Sequence, residues 1–257
     1  MMKLAALQMH SVAGDRTANL FRIETAAREA AENGADLLVA PELAVTGYGA
    51  GDMISELAEP ADGDLAERLA ALSRETGVAL VVGFAERDGE TVFNSAIYAD
   101  GQRSIVYRKS HLFGPYERKL FAPGKPAACM VEHRGLKLGM LICYDVEFPE
   151  NVRRLAQAGA QAVIAPTALP VSDHAEFIAR KLVPVRAFEN QVFVAYVNHC
   201  GNDALFSYAG LSGVVAPDGT MLAEAPETGE ALLFAELDPA AYAASIAANT
   251  YLRDIRV

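Results

Sequence analysis

The sequence is short of positive charge, of cysteine and of long apolar stretches, and each shortage closes off a class of function. Lys and Arg number 22 against 33 Asp and Glu, leaving a net charge of −11. Nucleic acids and anionic membrane surfaces are gripped by clustered Lys and Arg, so neither is expected as a partner. The acidic excess reads as a solubility device. The three cysteines, Cys129, Cys143 and Cys200, are odd in number and widely spaced, and form no metal-type pair. No His/Cys/Asp cluster has ligand spacing, so no metal is expected. No apolar run approaches the ~20 residues of a membrane span, and the opening MMKLAALQMH turns polar too soon for a secretion signal. The expectation is a cytoplasmic protein with free thiols. No Pro/Gly/Ser-rich linker and no solenoid-length repeat appears, so residues 1–257 are read as one domain, with 52% hydrophobic residues to fill its core.

What is present is a repeated α/β pattern. KLAALQM (3–9) has strand character; 15–33 has Leu20, Ile23, Ala27 and Ala30 at helical spacing and ends in Asn33-Gly34. A continuous apolar run, DLLVAPE (36–42), is followed by a helix over 62–76 and a buried strand, VALVVGFAER (78–87). Asp88-Gly89 and Asp100-Gly101 mark tight turns between TVFNSAIYA and RSIVYRK. The order then recurs: LKLGMLIC (136–143), a helix at 149–159, AQAVIAPT (160–167), a helix over 173–190 that Pro184 should kink or divide, and QVFVAYVN (191–198). A hairpin across Pro217-Asp218-Gly219 and a last strand at 230–237 complete the chain. Each half reads β-α-β-α-β plus hairpin strands, and LLVAPE echoes AVIAPT. Two such halves would pack sheet on sheet with helices outside.

Three reactive side chains end strands: Glu42 after LLVAP, Lys109 after RSIVYR and Cys143 after LKLGMLI. Strand ends along one sheet edge are where α/β folds assemble sites. Taken alone, Cys143 fits a buried inert thiol. The polar Tyr144, Asp145 and Glu147 that follow it, and a helix starting near Pro149, argue for a reactive one. Glu42 at the inner end of an apolar strand would be partly desolvated, which raises a carboxyl toward general-base range; a solvated carboxylate is the other reading. Lys109 and Glu117, eight apart, fit either a surface ion pair or a partly buried one. Cys129 and Cys200 have no comparable setting.

PELAVTGY, YRKSHLF and LGMLICYDVEFPE, in that order, resemble the signature segments of the nitrilase superfamily, the carbon–nitrogen hydrolases; RRLAQAGAQAVIAPTA, RAFENQVFVAYVN and SGVVAPDG extend the resemblance over nearly the whole chain. The resemblance implies a four-layer α-β-β-α sandwich, no metal or organic cofactor, and a homo-oligomer built on a dimer. It makes Glu42 the general base, Lys109 the electrostatic stabiliser and Cys143 the nucleophile, with Glu117 as a second acid beside them. Lys109 and the Tyr144 backbone N–H would hold the oxyanion, and Tyr48, Tyr144, Glu147 and Thr167 are candidates for the substrate wall.

Cys-Tyr-Asp resembles amidase-like branches, bacterial aliphatic and R-stereoselective amidases in particular. True nitrilases more often carry Cys-Trp-Glu, and this chain has no Trp. The expected reaction is hydrolysis of a small amide to acid and ammonia. Hydrolysis of N-carbamoyl amino acids, with Arg180, Lys181 and Arg186 gripping a carboxylate, and nitrile hydrolysis are alternatives. So is a non-catalytic small-molecule binder on the same fold. A Cys-His hydrolase would need His10, His111, His133, His174 or His199 as base, and no motif marks any of them.

Overall fold

In the computed structural model, which describes residues 1–256, the first half opens with β1 (Met2–Gln8), α1 (Arg16–Glu32) and β2 (Leu37–Val39). The Asp15 side chain accepts from the Ala18 N–H to start α1, and Gly34, at φ +70°, follows its end. Next come α2 (Met53–Leu57), α3 (Asp64–Thr76), β3 (Ala79–Asp88), β4 (Thr91–Ala99) and β5 (Ser104–Arg108). A short helix, α4 (Gly114–Leu120), leads into the second half: β6 (Met130–His133), β7 (Leu136–Met140), α5 (Pro149–Gln157) and β8 (Ala162–Thr167). Then α6 (Ala175–Phe177) passes through a wide π turn at Ile178–Leu182 into α7 (Val183–Asn190). Four strands follow, β9 (Phe193–Asn198), β10 (Gly213–Val215), β11 (Met221–Glu224) and β12 (Ala231–Leu237), and after them come short helical segments at Pro239–Tyr242, Ala243–Ala248 and Tyr251–Asp254. The helix expected over 173–190 is thus interrupted by the π turn, and Pro184 follows that turn directly, in the first turn of α7.

Two six-stranded sheets form, ordered β12-β1-β2-β3-β4-β5 and β11-β10-β9-β8-β7-β6. In each, three strands joined through helices run parallel (β1-β2-β3 and β7-β8-β9) and a hairpin extends one side antiparallel. The other side gains one antiparallel strand, β12 on β1 and β6 on β7. Thus β12 leaves the second half and closes the first sheet.

Side chains in the first sheet divide by parity, as a pleat requires. Leu4, Ala6, Leu37, Val39, Ala79 and Val81 join one cluster with the second sheet, while Ala5, Leu7, Leu38, Leu80 and Val82 pack under Leu20, Ile23, Leu65 and Leu69 of α1 and α3. Helices α5 and α7 cover the second sheet. Both faces of the central strands are buried, which is why they read as unbroken apolar runs rather than alternating ones. The result is the expected α-β-β-α sandwich.

Candidate active site

Parallel strands deliver their C-terminal ends to one edge, and the chain leaves that edge abruptly. After β2, Pro41 cannot extend the ladder; Glu42 is fully buried and Leu43 adopts φ +50°. After β7, Cys143 opens a tight turn (Cys143–Glu147) at φ +46°. Left-handed backbone at residues with side chains costs about 1–3 kcal/mol each and is concentrated at functional sites.

Lys109, just past β5, brings the carboxylates together. Its ammonium donates to Glu42 Oε1 and to Glu117 Oε1, each at 2.6 Å, and all three side chains are sealed from solvent. Asn94 Nδ2 donates to the same Glu42 oxygen at 2.7 Å, leaving Glu42 Oε2 buried without a hydrogen-bond partner. On Glu117, carried by α4, Oε1 also accepts from the Tyr48 hydroxyl (2.8 Å) and Oε2 from the Phe113 N–H (2.8 Å).

The electrostatics follow from burial. Burial pushes the Glu42 carboxyl up to about 7, with Lys109 opposing and Glu117 adding to the rise. Burial works against the Lys109 charge, yet Glu42 and Glu117 outweigh it and hold the ammonium well above its ordinary range. The Cys143 thiol is pushed well up by burial and by Glu42, while Lys109 pulls it down. A thiol and an acid coupled in this way titrate as a unit.

The turn bearing Cys143 is held from two sides. Buried Asp145 accepts from the Tyr107 and Ser110 hydroxyls (2.9 and 2.8 Å) and the His111 N–H (2.9 Å), tying the turn to the strand end that carries Lys109. Arg186 of α7 donates to the Val146 carbonyl (3.1 Å) and the Glu147 carbonyl (2.8 Å). On the other side of the site, His199 Nε2 donates to the Glu42 backbone carbonyl at 2.6 Å, and its Nδ1 accepts from Ser11 Oγ at 3.2 Å. Burial holds this imidazole down at about 4, so it stays neutral.

A hollow of about 530 Å³ opens over Cys143. Tyr144 and Glu147 line it, together with Phe113, Leu169, Pro170, Phe177, Ile178 and Leu182, and Ser172 and His174 stand at its wall. Of the expected wall residues, Tyr48 instead supports Glu117, and Thr167 returns its hydroxyl to the Ala165 carbonyl of its own strand at 2.9 Å. Arg180 pairs with Glu176 and Glu224, Lys181 is exposed, and none of Arg180, Lys181 and Arg186 lines the hollow. His10, His111, His133 and His199 are hydrogen-bonded to groups other than the thiol.

From sequence, Asn94 and Gly83 had no role, Asp145 stood only as a polar neighbour of Cys143, and His199 only as a histidine that no motif marks. Gly83 did carry a local signal, a glycine inside an apolar strand, which marks a close backbone approach. A Cβ there would lie 2.3 Å from the Pro41 carbonyl oxygen and 2.6 Å from the Glu42 Cα.

Residues 3–247 match the family model described as carbon–nitrogen hydrolase. The chain belongs to the carbon–nitrogen hydrolase family, enzymes acting on carbon–nitrogen bonds other than peptide bonds. It is 43% identical to a Pseudomonas protegens protein described as a hydrolase in the pqqF 5′ region, over 99% of this chain and 89% of that one. It is 36% identical to an (R)-stereoselective amidase from a Pseudomonas species, over 100% of this chain and 92% of the relative. A solved amidase from Nesterenkonia sp. AN1 superposes with a TM-score of 0.88 at 35% identity, covering 100% of this chain and 97% of that one. That structure is a glutamate-to-glutamine variant with acrylamide added to its active-site cysteine. The resemblance to the nitrilase superfamily and its amidase-like branch is borne out.

Proposed function

We propose that this protein hydrolyses small amides to a carboxylic acid and ammonia through a thioester on Cys143, with Glu42 as general base and acid. The observation that carries the reading is a division of hydrogen bonds. Glu42 Oε1 accepts from Lys109 and Asn94, while Oε2 is buried without a hydrogen-bond partner, and the Glu42 charge acts on the Cys143 thiol. A carboxyl pushed up to about 7 is matched to taking a proton and returning it near neutral pH.

Glu42 takes the thiol proton, and the sulfur attacks the amide carbon. An ammonium has three donors; two of those on Lys109 are committed to Glu42 and Glu117, and the third is free for the oxyanion. The Tyr144 N–H, at the head of the turn, is the second oxyanion donor; loss of one such donor costs about 100–1000-fold in rate. Glu42 then protonates the leaving nitrogen, ammonia departs, and water activated by Glu42 splits the thioester, restoring the thiol. Glu117 positions Lys109. The cysteine adduct in the Nesterenkonia amidase supports the choice of nucleophile. The reading carries with it a homo-oligomer in a reducing compartment.

The test is ammonia release from a panel of small amides, nitriles and N-carbamoyl amino acids, run beside Cys143→Ala. Ammonia from amides, abolished in the variant, is the expected result. Ammonia chiefly from nitriles or carbamoyl compounds would overturn the amide assignment, and activity surviving in Cys143→Ala would remove the thioester.

A further inference from the structure

Resting on the amide reading, the walls of the hollow go further and select among amides. Three residues of the helical segment after β8, Phe177, Ile178 and Leu182, line it together with Leu169, Pro170 and Phe113. The last two of those helical residues, Ile178 and Leu182, are the first and last residues of the π turn. Pockets of a few hundred Å³ bind chiefly through such apolar walls, with a small number of polar groups fixing orientation. Apart from the thiol and the Tyr144 phenol, the titratable groups lining this hollow are Glu147 and His174.

No Lys or Arg among the described residues lines it: Lys181 of the π turn is exposed and outside the lining, and the other nearby cations are already committed. Lys109 is shared between two carboxylates. Arg186 is spent on the Val146 and Glu147 carbonyls and on Glu189. Arg180 faces Glu176 and Glu224. The site floor therefore holds one ammonium against two carboxylates, and Glu147 adds a third acid in the wall. A chain ending in a carboxylate would lose its hydration there with no cation to pair it.

We infer that this hollow is an acyl pocket for uncharged apolar chains and that Glu147 bars chains ending in a carboxylate, so that the enzyme takes monoamides of apolar acids and rejects half-amides of dicarboxylic acids. Glu147 acts by repulsion, a selection made against the wrong substrate rather than for the right one.

Pentanamide and the monoamide of glutaric acid share a five-carbon acyl chain and differ at its end, which makes them the probe pair. Ammonia release is measured at pH 8, where the half-amide is fully ionised. The expected result is a kcat/KM at least 100-fold higher for pentanamide. Glu147→Gln should shrink that ratio about tenfold. Leu182→Trp should lower pentanamide turnover at least ten times more than propanamide turnover, because only the longer chain reaches the helix wall. A half-amide handled as well as pentanamide would overturn the inference outright. An unchanged ratio in Glu147→Gln would remove Glu147 as its cause, and equal losses for both amides in Leu182→Trp would move the acyl chain out of this hollow. Failure of every amide tested, propanamide included, would instead strike the amide reading itself.

Discussion

At the end of β2 the chain reads Val39-Ala40-Pro41-Glu42, and at the end of β8 it reads Ile164-Ala165-Pro166-Thr167. The register is shared: Val39 lies opposite Val81 of β3, and Ile164 opposite Ala195 of β9. Two residues further on, Pro166 faces Val197, while the corresponding neighbour of Pro41 is Gly83, whose N–H donates to the Pro41 carbonyl at 3.1 Å. With a side chain at Val197, β8 stays flat through Thr167. Without one at Gly83, the chain folds down over β3 and turns at Leu43, burying Glu42 against Lys109. One frame is used twice, and the glycine opposite Pro41 marks where the two strand ends diverge. The division continues outward. The first half and α4 supply a dense network of charged hydrogen bonds; the second half supplies the thiol and most of the apolar hollow.

The sharpest test of this contrast is to remove the polar group at each of the two strand ends. Glu42→Gln deletes the proposed base and should lower kcat by about 1,000–10,000-fold. Thr167→Val deletes a hydroxyl that donates to the Ala165 carbonyl of its own strand; it should cost about 1 kcal/mol of stability and leave kcat within about threefold. Comparable losses in kcat would mean that Thr167 belongs to the chemistry after all. The next largest effect is expected from Gly83→Ala, a change that adds one methyl and touches no substrate. The methyl would displace the Pro41–Glu42 backbone, and a displacement of ~1 Å costs on the order of 100-fold. Steady-state kinetics should show that loss chiefly in kcat, with a lowered Tm. Wild-type turnover in a folded Gly83→Ala protein would break the account of how Glu42 is placed.

Glu42, Lys109 and Cys143 were readable because each interrupts an apolar run, and an interruption is visible in one dimension. Their supports were not. Asn94 meets Glu42 across 52 positions and His199 meets it across 157, and neither departs from its local pattern. Strand lengths were over-read where the chain leaves the sheet: DLLVAPE pairs only over Leu37–Val39, and LKLGMLIC only over Leu136–Met140, because apolar character continues into the buried turns. The short edge strand β6 and helix α4 lack a periodic apolar face long enough to register. The return of β12 to the first sheet rests on pairing of Met2 with Leu237, a contact no local pattern encodes.

A smaller, graded effect concerns pH. Burial raises the Glu42 carboxyl to about 7, so at lower pH it carries its proton and cannot accept another. The kcat/KM for an amide should fall about tenfold per unit below pH 7. Asn94 donates to the ionised form and so favours it. Asn94→Ala should therefore move the acid limb to higher pH, and a limb moving the other way would contradict the buried-acid description of this corner.

The mildest consequence falls on stability. His199, just past β9 of the second half, backs the Glu42 carbonyl. Its imidazole is held at about 4 by burial, against about 6.5 in the unfolded chain. Between those values the unfolded state binds the extra proton, so stability rises with pH across the window. The contribution is complete above about pH 6.5, shrinks as pH falls, and amounts to roughly 3 kcal/mol over the interval. His199→Gln can keep a donor toward Glu42 but cannot titrate. Urea midpoints measured from pH 7.5 to 4.5 should fall less steeply in this variant than in the wild type, even if its midpoint at pH 7.5 is lower. Parallel slopes would mean that His199 is charged in the folded protein, and its hold on the Glu42 carbonyl would then be a pH-sensitive link between the halves rather than a fixed one.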